Sequence, residues 1–145
     1  YAFHWGFSDT GMFGIHAATG SEDLGALMPV IFDELSKVAD HVDVSEINRS
    51  RAQTRAALLM SQESPAARAS QIARQMLLFG RPVSNAELME RLDAITPERL
   101  TDLAGRLFFE TPLTISAVGP VTPLMDGETM KSALSGSRRM QTAAE

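Results

Sequence analysis

The chain has 145 residues, 44% of them hydrophobic, a formal net charge of −5 and no cysteine. That length fits a single hydrophobic core, and the lack of cysteine excludes disulfides, thiolate metal ligands and a cysteine nucleophile while fitting a reducing compartment. The acidic balance argues against nucleic acid, whose phosphates demand clustered Lys and Arg, and no run approaches the roughly 18 apolar residues of a membrane-spanning helix, so a soluble chain is expected.

Residues 1–19 read as a β-hairpin. Tyr1, Phe3, Trp5 and Phe7 alternate with Ala2, His4 and Gly6, the period of two that sends successive side chains to opposite faces of a strand. Ser8-Asp9-Thr10-Gly11 is turn chemistry, and residues 12–19 return as a second strand. A three-residue loop would set Phe7 against Phe13 and Trp5 against Ile15, and this aromatic face is expected to be core. Because Tyr1 already lies within the strand pattern, the chain reads as a piece of a longer polypeptide.

From Gly20 the period lengthens to that of helices. Ser21 is expected to cap a helix with Glu22 and Asp23 in its first turn and Leu24, Leu27, Ile31, Leu35 and Val38 along one side. Pro29, inside that span, predicts a kink or an early break. Ser45 is expected to start a second helix whose apolar side is small: Ala52, Ala56, Leu59 and Met60. Ser64-Pro65 opens a third helix and Gly80 closes it, following the preference for proline at the first helical position and glycine just past the end.

Ser84-Asn85-Ala86-Glu87 is a capping box, with the serine accepting from the Glu87 amide and the glutamate reaching back to the serine amide. A short helix with Leu88 and Leu92 follows. Thr96-Pro97 caps a fifth helix with Leu100, Leu103, Ala104 and Leu107 on its buried side, and Leu113 to Val118 reads as a strand ended by Gly119-Pro120. Residues 121–145 are polar and small without sustained period, so they are set apart as a partly disordered tail, leaving 1–120 as the folded domain.

Charge is unevenly spread. Arg49, Arg51, Arg55, Arg68, Arg74 and Arg81 stand against Glu63 alone in residues 49–81, while residues 22–46 hold seven acids against Lys37. These read as two solvated helix faces, with a docking surface for an acidic partner as the alternative. Of the three histidines, His4 and His16 would face each other across a hairpin with a three-residue loop, but two ligands do not make a zinc site. Asp9-Thr10-Gly11 matches the triplet of aspartic proteases, which need two such aspartates, and there is one copy here. No G-x-S-x-G elbow and no phosphate-binding glycine loop occurs. The residues themselves therefore establish an α+β domain without a complete catalytic constellation.

Five ordered blocks carry a family resemblance: SDTGMFGIHAATG at 8–20, SRAQTRAALLMSQES at 50–64, LLFGRP at 77–82, AITPERL at 94–100 and AVGP at 117–120. They resemble the C-terminal, non-zinc half of pitrilysin-type (insulinase) zinc metallopeptidases, most closely the bacterial, processing-peptidase-like members. The resemblance implies an antiparallel sheet packed against a layer of helices, one of two halves that close around an unfolded peptide. It implies that zinc is held by the other half, on an H-x-x-E-H motif that this chain lacks.

The family's substrate-steadying arginine and tyrosine lie on a segment resembling L-R-E-x-x-G-L-x-Y. By the spacing back from Asp9 that segment would end just before Tyr1, so no catalytic and no metal residue is carried over. Tyr1 and Phe3 share the strand parity of that tyrosine and are expected to line the substrate chamber. The implied partners are a zinc-bearing N-terminal half, in the same chain or in another subunit, and a peptide substrate, in a dimeric parent without nucleic acid or membrane. The implied location is bacterial cytoplasm or periplasm. A scaffolding homologue that has lost zinc chemistry is the alternative.

Overall fold

The computed structural model describes residues 1–142, with side chains described as far as Leu134. Its elements in chain order are β1 (Ala2–Gly6), β2 (Gly11–Ile15), α1 (Leu24–Asp40), α2 (Val44–Ser61), α3 (Pro65–Phe79), α4 (Asn85–Asp93), α5 (Pro97–Phe109) and α6 (Gly127–Thr142). The fold is α+β, in two compact units: residues 1–16 with 43–96, and residues 17–42 with the chain from Pro97 onward.

In the first unit β1 and β2 pair antiparallel, with Ala2 opposite Ile15, Phe3 opposite Gly14, His4 opposite Phe13 and Trp5 opposite Met12. The Phe7 amide donates to the Thr10 carbonyl at 2.9 Å, so the loop is the two residues Ser8 and Asp9 rather than three. Trp5 consequently faces Met12 instead of Ile15. That odd displacement exchanges the faces of every β2 side chain. Phe3 and Gly14 show why this register is preferred: a Cβ at position 14 would collide with the Phe3 ring, so the glycine makes room for the aromatic opposite it.

The helices of this unit begin on side-chain caps. Asp43 accepts from the Ser45 amide at 2.6 Å, which moves the start of α2 ahead of Ser45 to Val44. Ser64 accepts from the Ala67 amide at the start of α3, and Gly80 ends it in the left-handed region at φ 69°. Ser84 accepts from the Glu87 amide as the capping box requires. The reciprocal bond is replaced, because the Glu87 carboxylate is taken by Arg81 at 2.7 and 2.8 Å and by Arg91 at 2.6 Å.

Ile47 and Val83 are buried, and the buried Gln75 accepts through Oε1 from the Val83 amide at 2.8 Å, fastening the turn after α3 to that helix. The expected small-residue face of α2 lies open, with Ala52 and Ala56 exposed, Leu59 54% exposed and Met60 70% exposed.

In the second unit α1 packs on α5 and α6. Phe32, Met130 and Leu134 form its buried cluster, with Met28, Leu35, Phe109, Leu113, Leu124, Met125 and Ala133 packed around it. Leu24, Leu27, Ile31 and Leu35 are half-buried as the helical period requires, whereas Val38 is exposed. The helix starts at Leu24 after Asp23 rather than beside Ser21. Pro29 does not break it: α1 runs unbroken for 17 residues. A proline costs one backbone bond there, and the buried contacts of Phe32 one turn later offset that loss.

Ala104 is the buried residue of α5, with Leu100 and Leu107 half-buried and Leu103 exposed. Leu113 to Val118 forms no ladder. A strand needs a partner for its N–H and C=O groups, and the described sheet consists of β1 and β2. Residues 127–142, within the stretch set apart as a tail, form α6. Its entry is capped by Asp126, which accepts from the Glu128 and Thr129 amides at 3.0 and 2.9 Å, and Met130 and Leu134 reach the core at helical spacing. The end of that stretch, residues 143–145, lies outside the described residues.

Candidate functional site

The hairpin carries the candidate site. Period-two alternation puts Tyr1, Phe3 and Trp5 on one face of β1, and the observed register adds Met12 and His16 of the returning strand to that face. The rings form a continuous strip. Tyr1 stacks on His16 with centroids 5.0 Å apart and planes 13° from parallel, Tyr1 and Phe3 lie 6.2 Å apart, and Phe3 and Trp5 lie 5.2 Å apart. These separations fall in the range where aromatic pairs attract beyond simple burial. The backbone holds the Tyr1–His16 end closed, since the Tyr1 amine donates to the His16 carbonyl at 3.0 Å and the His16 amide returns a bond of 2.9 Å.

This face is not core. Tyr1 is 80% exposed, Trp5 54% and Phe7 56%, while Phe3 is half-buried over Gly14. The sequence reading that buried the aromatic face is corrected here. Of the two residues expected to line a chamber, Tyr1 and Phe3, the structure places both on this strip. Met12 and His16 were missed as its neighbours, and a two-residue loop at Ser8-Asp9 is the signal that would have found them.

The same register separates the histidines. His4 lies on the opposite face with Phe13, and His16 stacks on Tyr1, so the two do not converge on one ion. Among the described residues no group of three His, Cys, Asp or Glu could hold a metal. The donors among the described residues do not fit a zinc ion. Asp9 sits exposed in the hairpin turn, and His41 is exposed at the end of α1.

The basic segment is spent largely on structure. Arg51 donates through Nε to the Leu92 carbonyl at 3.2 Å and through Nη2 to the Ile95 carbonyl at 2.8 Å, and Arg55 meets Asp93 at 2.5 Å, so α2 grips the end of α4. Arg81 beside Glu87 is the main cause that holds the Glu87 carboxyl down at about 2, with Arg91 adding to it. Arg49 reaches Glu46 at 3.7 Å, and Arg68 and Arg74 lie exposed on α3. In the acidic segment, hydrogen bonds from Lys37 to Asp33 and Glu34 raise the lysine above its ordinary value. Among the described residues no helix is long and apolar enough to cross a membrane.

No family model matches the sequence. Individual relatives do. The chain is 33% identical over 125 residues to a probable mitochondrial-processing peptidase subunit beta of Arabidopsis thaliana, covering 86% of this chain and 24% of that protein. It is 33% identical over 139 residues to the probable subunit beta of Schizosaccharomyces pombe, covering 94% of this chain and 30% of that one. An uncharacterized zinc protease of Rickettsia bellii is 32% identical over 114 residues, covering 79% of this chain and 27% of the relative. The chain thus spans about a quarter of the length of the curated relatives it matches. Relatives on this side of both mitochondrial and bacterial lineages, aligned along most of its length, identify the chain as belonging to the pitrilysin-like peptidase family.

Proposed function

We propose that the chain is the non-catalytic C-terminal half of a bacterial zinc-dependent metalloendopeptidase, which encloses unfolded peptides against a zinc-bearing N-terminal half. The observation that carries this reading is the match itself. Proteins named as processing peptidases and zinc proteases align along 79–94% of this chain, yet each alignment takes in only 24–30% of the relative. The bacterial assignment is supported by the Rickettsia relatives, and the cysteine-free composition favours a cytoplasmic location.

In this reading zinc belongs to the other half, in the same polypeptide or a second subunit, and the parent is a dimer. Residues 1–120 supply most of the family domain, and α6 completes the core of its second unit. This chain's part is to wall the chamber, with Tyr1 and Phe3 facing the peptide. Their rings offer an apolar, backbone-tolerant surface suited to chains without fixed structure.

The test is cleavage of unstructured peptides by the purified chain with added zinc, alone and combined with a zinc-bearing half carrying H-x-x-E-H. No turnover alone and turnover on combination are expected. Turnover by the chain alone that His4→Ala or His16→Ala abolishes would overturn the reading. A parent sequence without H-x-x-E-H would instead make this the scaffolding homologue.

A further inference from the structure

We infer that Gly14 decides which peptide side chains this wall accepts: it lets the Phe3 ring lie flat across β2, and the recess so formed takes one large apolar side chain of the peptide. This rests on the proposed reading of the hairpin as a chamber wall. Residues directly opposite each other in an antiparallel pair share a face, so the strip is two columns wide. Tyr1, Phe3 and Trp5 run along β1, with His16, Gly14 and Met12 opposite them on β2. The middle position of the second column is the one without a side chain.

The Phe3 ring covers that position from across the ladder. A Cβ built on Gly14 would stand 2.3 Å from Phe3 Cζ and 2.8 Å from both Cε atoms, so the tip of the ring rests on the glycine backbone. One ring covers the middle row where two side chains cover each row beside it, and the middle of the strip is low. Exposure follows the same order: Phe3 is half-buried, whereas Met12 is 45% and Trp5 54% exposed. The flanking rows lie about 13 Å apart along β1, twice the two-residue repeat, which leaves room for one inserted side chain rather than two.

The recess faces away from α3. Gly6 belongs to the other face of β1, and a Cβ there would stand 3.7 Å from a Leu78 methyl, so α3 backs that other face. Phe3, Trp5 and Met12, which border the recess, carry no charge. An inserted charged group would lose water without gaining a partner, whereas an aromatic or long aliphatic side chain buries its surface against rings and thioether. Gly14→Ala must lift the ring, because the added methyl and the ring tip cannot share the site. The atoms that give way are the end of a side chain rather than backbone, so the hairpin keeps its pairing while the lifted ring closes the recess.

Trp5 is the chain's single tryptophan and lies 5.2 Å from the Phe3 ring, so its emission reports occupancy of the recess. The experiment titrates the 145-residue chain, without zinc, with unstructured glycine-serine peptides identical but for one central phenylalanine, leucine, alanine or lysine. The phenylalanine peptide is expected to bind about tenfold or more tightly than the alanine peptide, with leucine between them and lysine no better than alanine. Gly14→Ala should reduce the phenylalanine-to-alanine ratio to less than about threefold. Phe3→Leu, which removes the aromatic floor without crowding Gly14, should reduce it comparably while the circular dichroism spectrum stays unchanged. A merely structural role for the Phe3–Gly14 pair would lower the melting temperature and leave the ratio where it was.

No binding of the phenylalanine peptide, or a ratio that Phe3→Leu or a folded Gly14→Ala leaves unchanged, overturns the proposal even if the peptidase-half reading stands. Turnover by the chain alone would sink that reading and leave these ratios intact.

Discussion

Replacing Met130 by alanine tests whether α6 is part of the folded second unit. Met130 is 1% exposed and sits between Phe32 and Leu134. Truncation deletes three buried heavy atoms, a transfer loss of about 2 kcal/mol. The cavity left among Phe32, Leu134 and their neighbours adds to this, giving about 3 kcal/mol in all. Against a stability of about 5–15 kcal/mol for a domain, that is a large share. At roughly 4 °C per kcal/mol for this size, Tm should fall by roughly 12 °C.

Urea denaturation followed by circular dichroism is the assay, read as a lower midpoint with an unchanged slope. Met130→Leu, nearly equal in volume, should lose less than about 1.5 kcal/mol. A loss below about 0.5 kcal/mol for Met130→Ala would refute the docking of α6 and return residues 127–142 to a solvated tail.

Three further outcomes follow from single groups. The Glu87 carboxyl is held at about 2 against an ordinary 4.5, so its contribution is present above pH 4.5 and is lost as pH falls toward 2. Glu87→Gln should accordingly flatten the acid limb of a stability-versus-pH curve in that window, and an unchanged limb would count against the Arg81 and Arg91 pairing. Gly80→Ala should cost about 1–2 kcal/mol by thermal melting, purely from the left-handed backbone, since no atom stands within 4 Å of the added methyl. Ser36 is 3% exposed with a hydroxyl lacking a partner, so Ser36→Ala should leave stability unchanged or raise it by about 1 kcal/mol; a comparable loss in chemical denaturation would show that the hydroxyl is bonded.

The parts legible in the sequence are those fixed within a few residues. Ser64-Pro65 and Gly80 delimit α3 because a cap, a preset φ and a left-handed glycine act over one turn each. Ser84 caps α4 in the same way, and α5 begins at Pro97, where the sequence put the first helical position. The parts that were not legible depend on distant neighbours. The hairpin register turned on whether the loop held two or three residues, and that one-residue question decided whether His4 and His16 met. Glu87 was expected to close the capping box, and two arginines outside the four-residue pattern claimed it instead.

Burial was harder still. Alternation in Tyr1, Phe3, Trp5 and Phe7 reports that the residues share a face, and says nothing about what covers it. The polar composition after Val121 hid α6, because Met130, Ala133 and Leu134, three residues of that stretch, are enough to seat a helix. Strand parity alone puts Tyr1 and Phe3 on one face of the hairpin, whereas placing Met12 and His16 beside them required knowledge of the partner strand.

The Arg51 guanidinium has a consequence for how the first unit comes apart. With nine residues, α4 is too short to persist in water unaided. Its final carbonyls, Leu92 and the nearby Ile95, are clasped by a side chain rooted in α2. Fraying of α4 must therefore release that clasp, and the two helices should lose hydrogen-exchange protection as one cooperative block rather than in succession. A lysine at position 51 could not span both carbonyls, having a single point-like ammonium where arginine has a rigid fork, and would uncouple them.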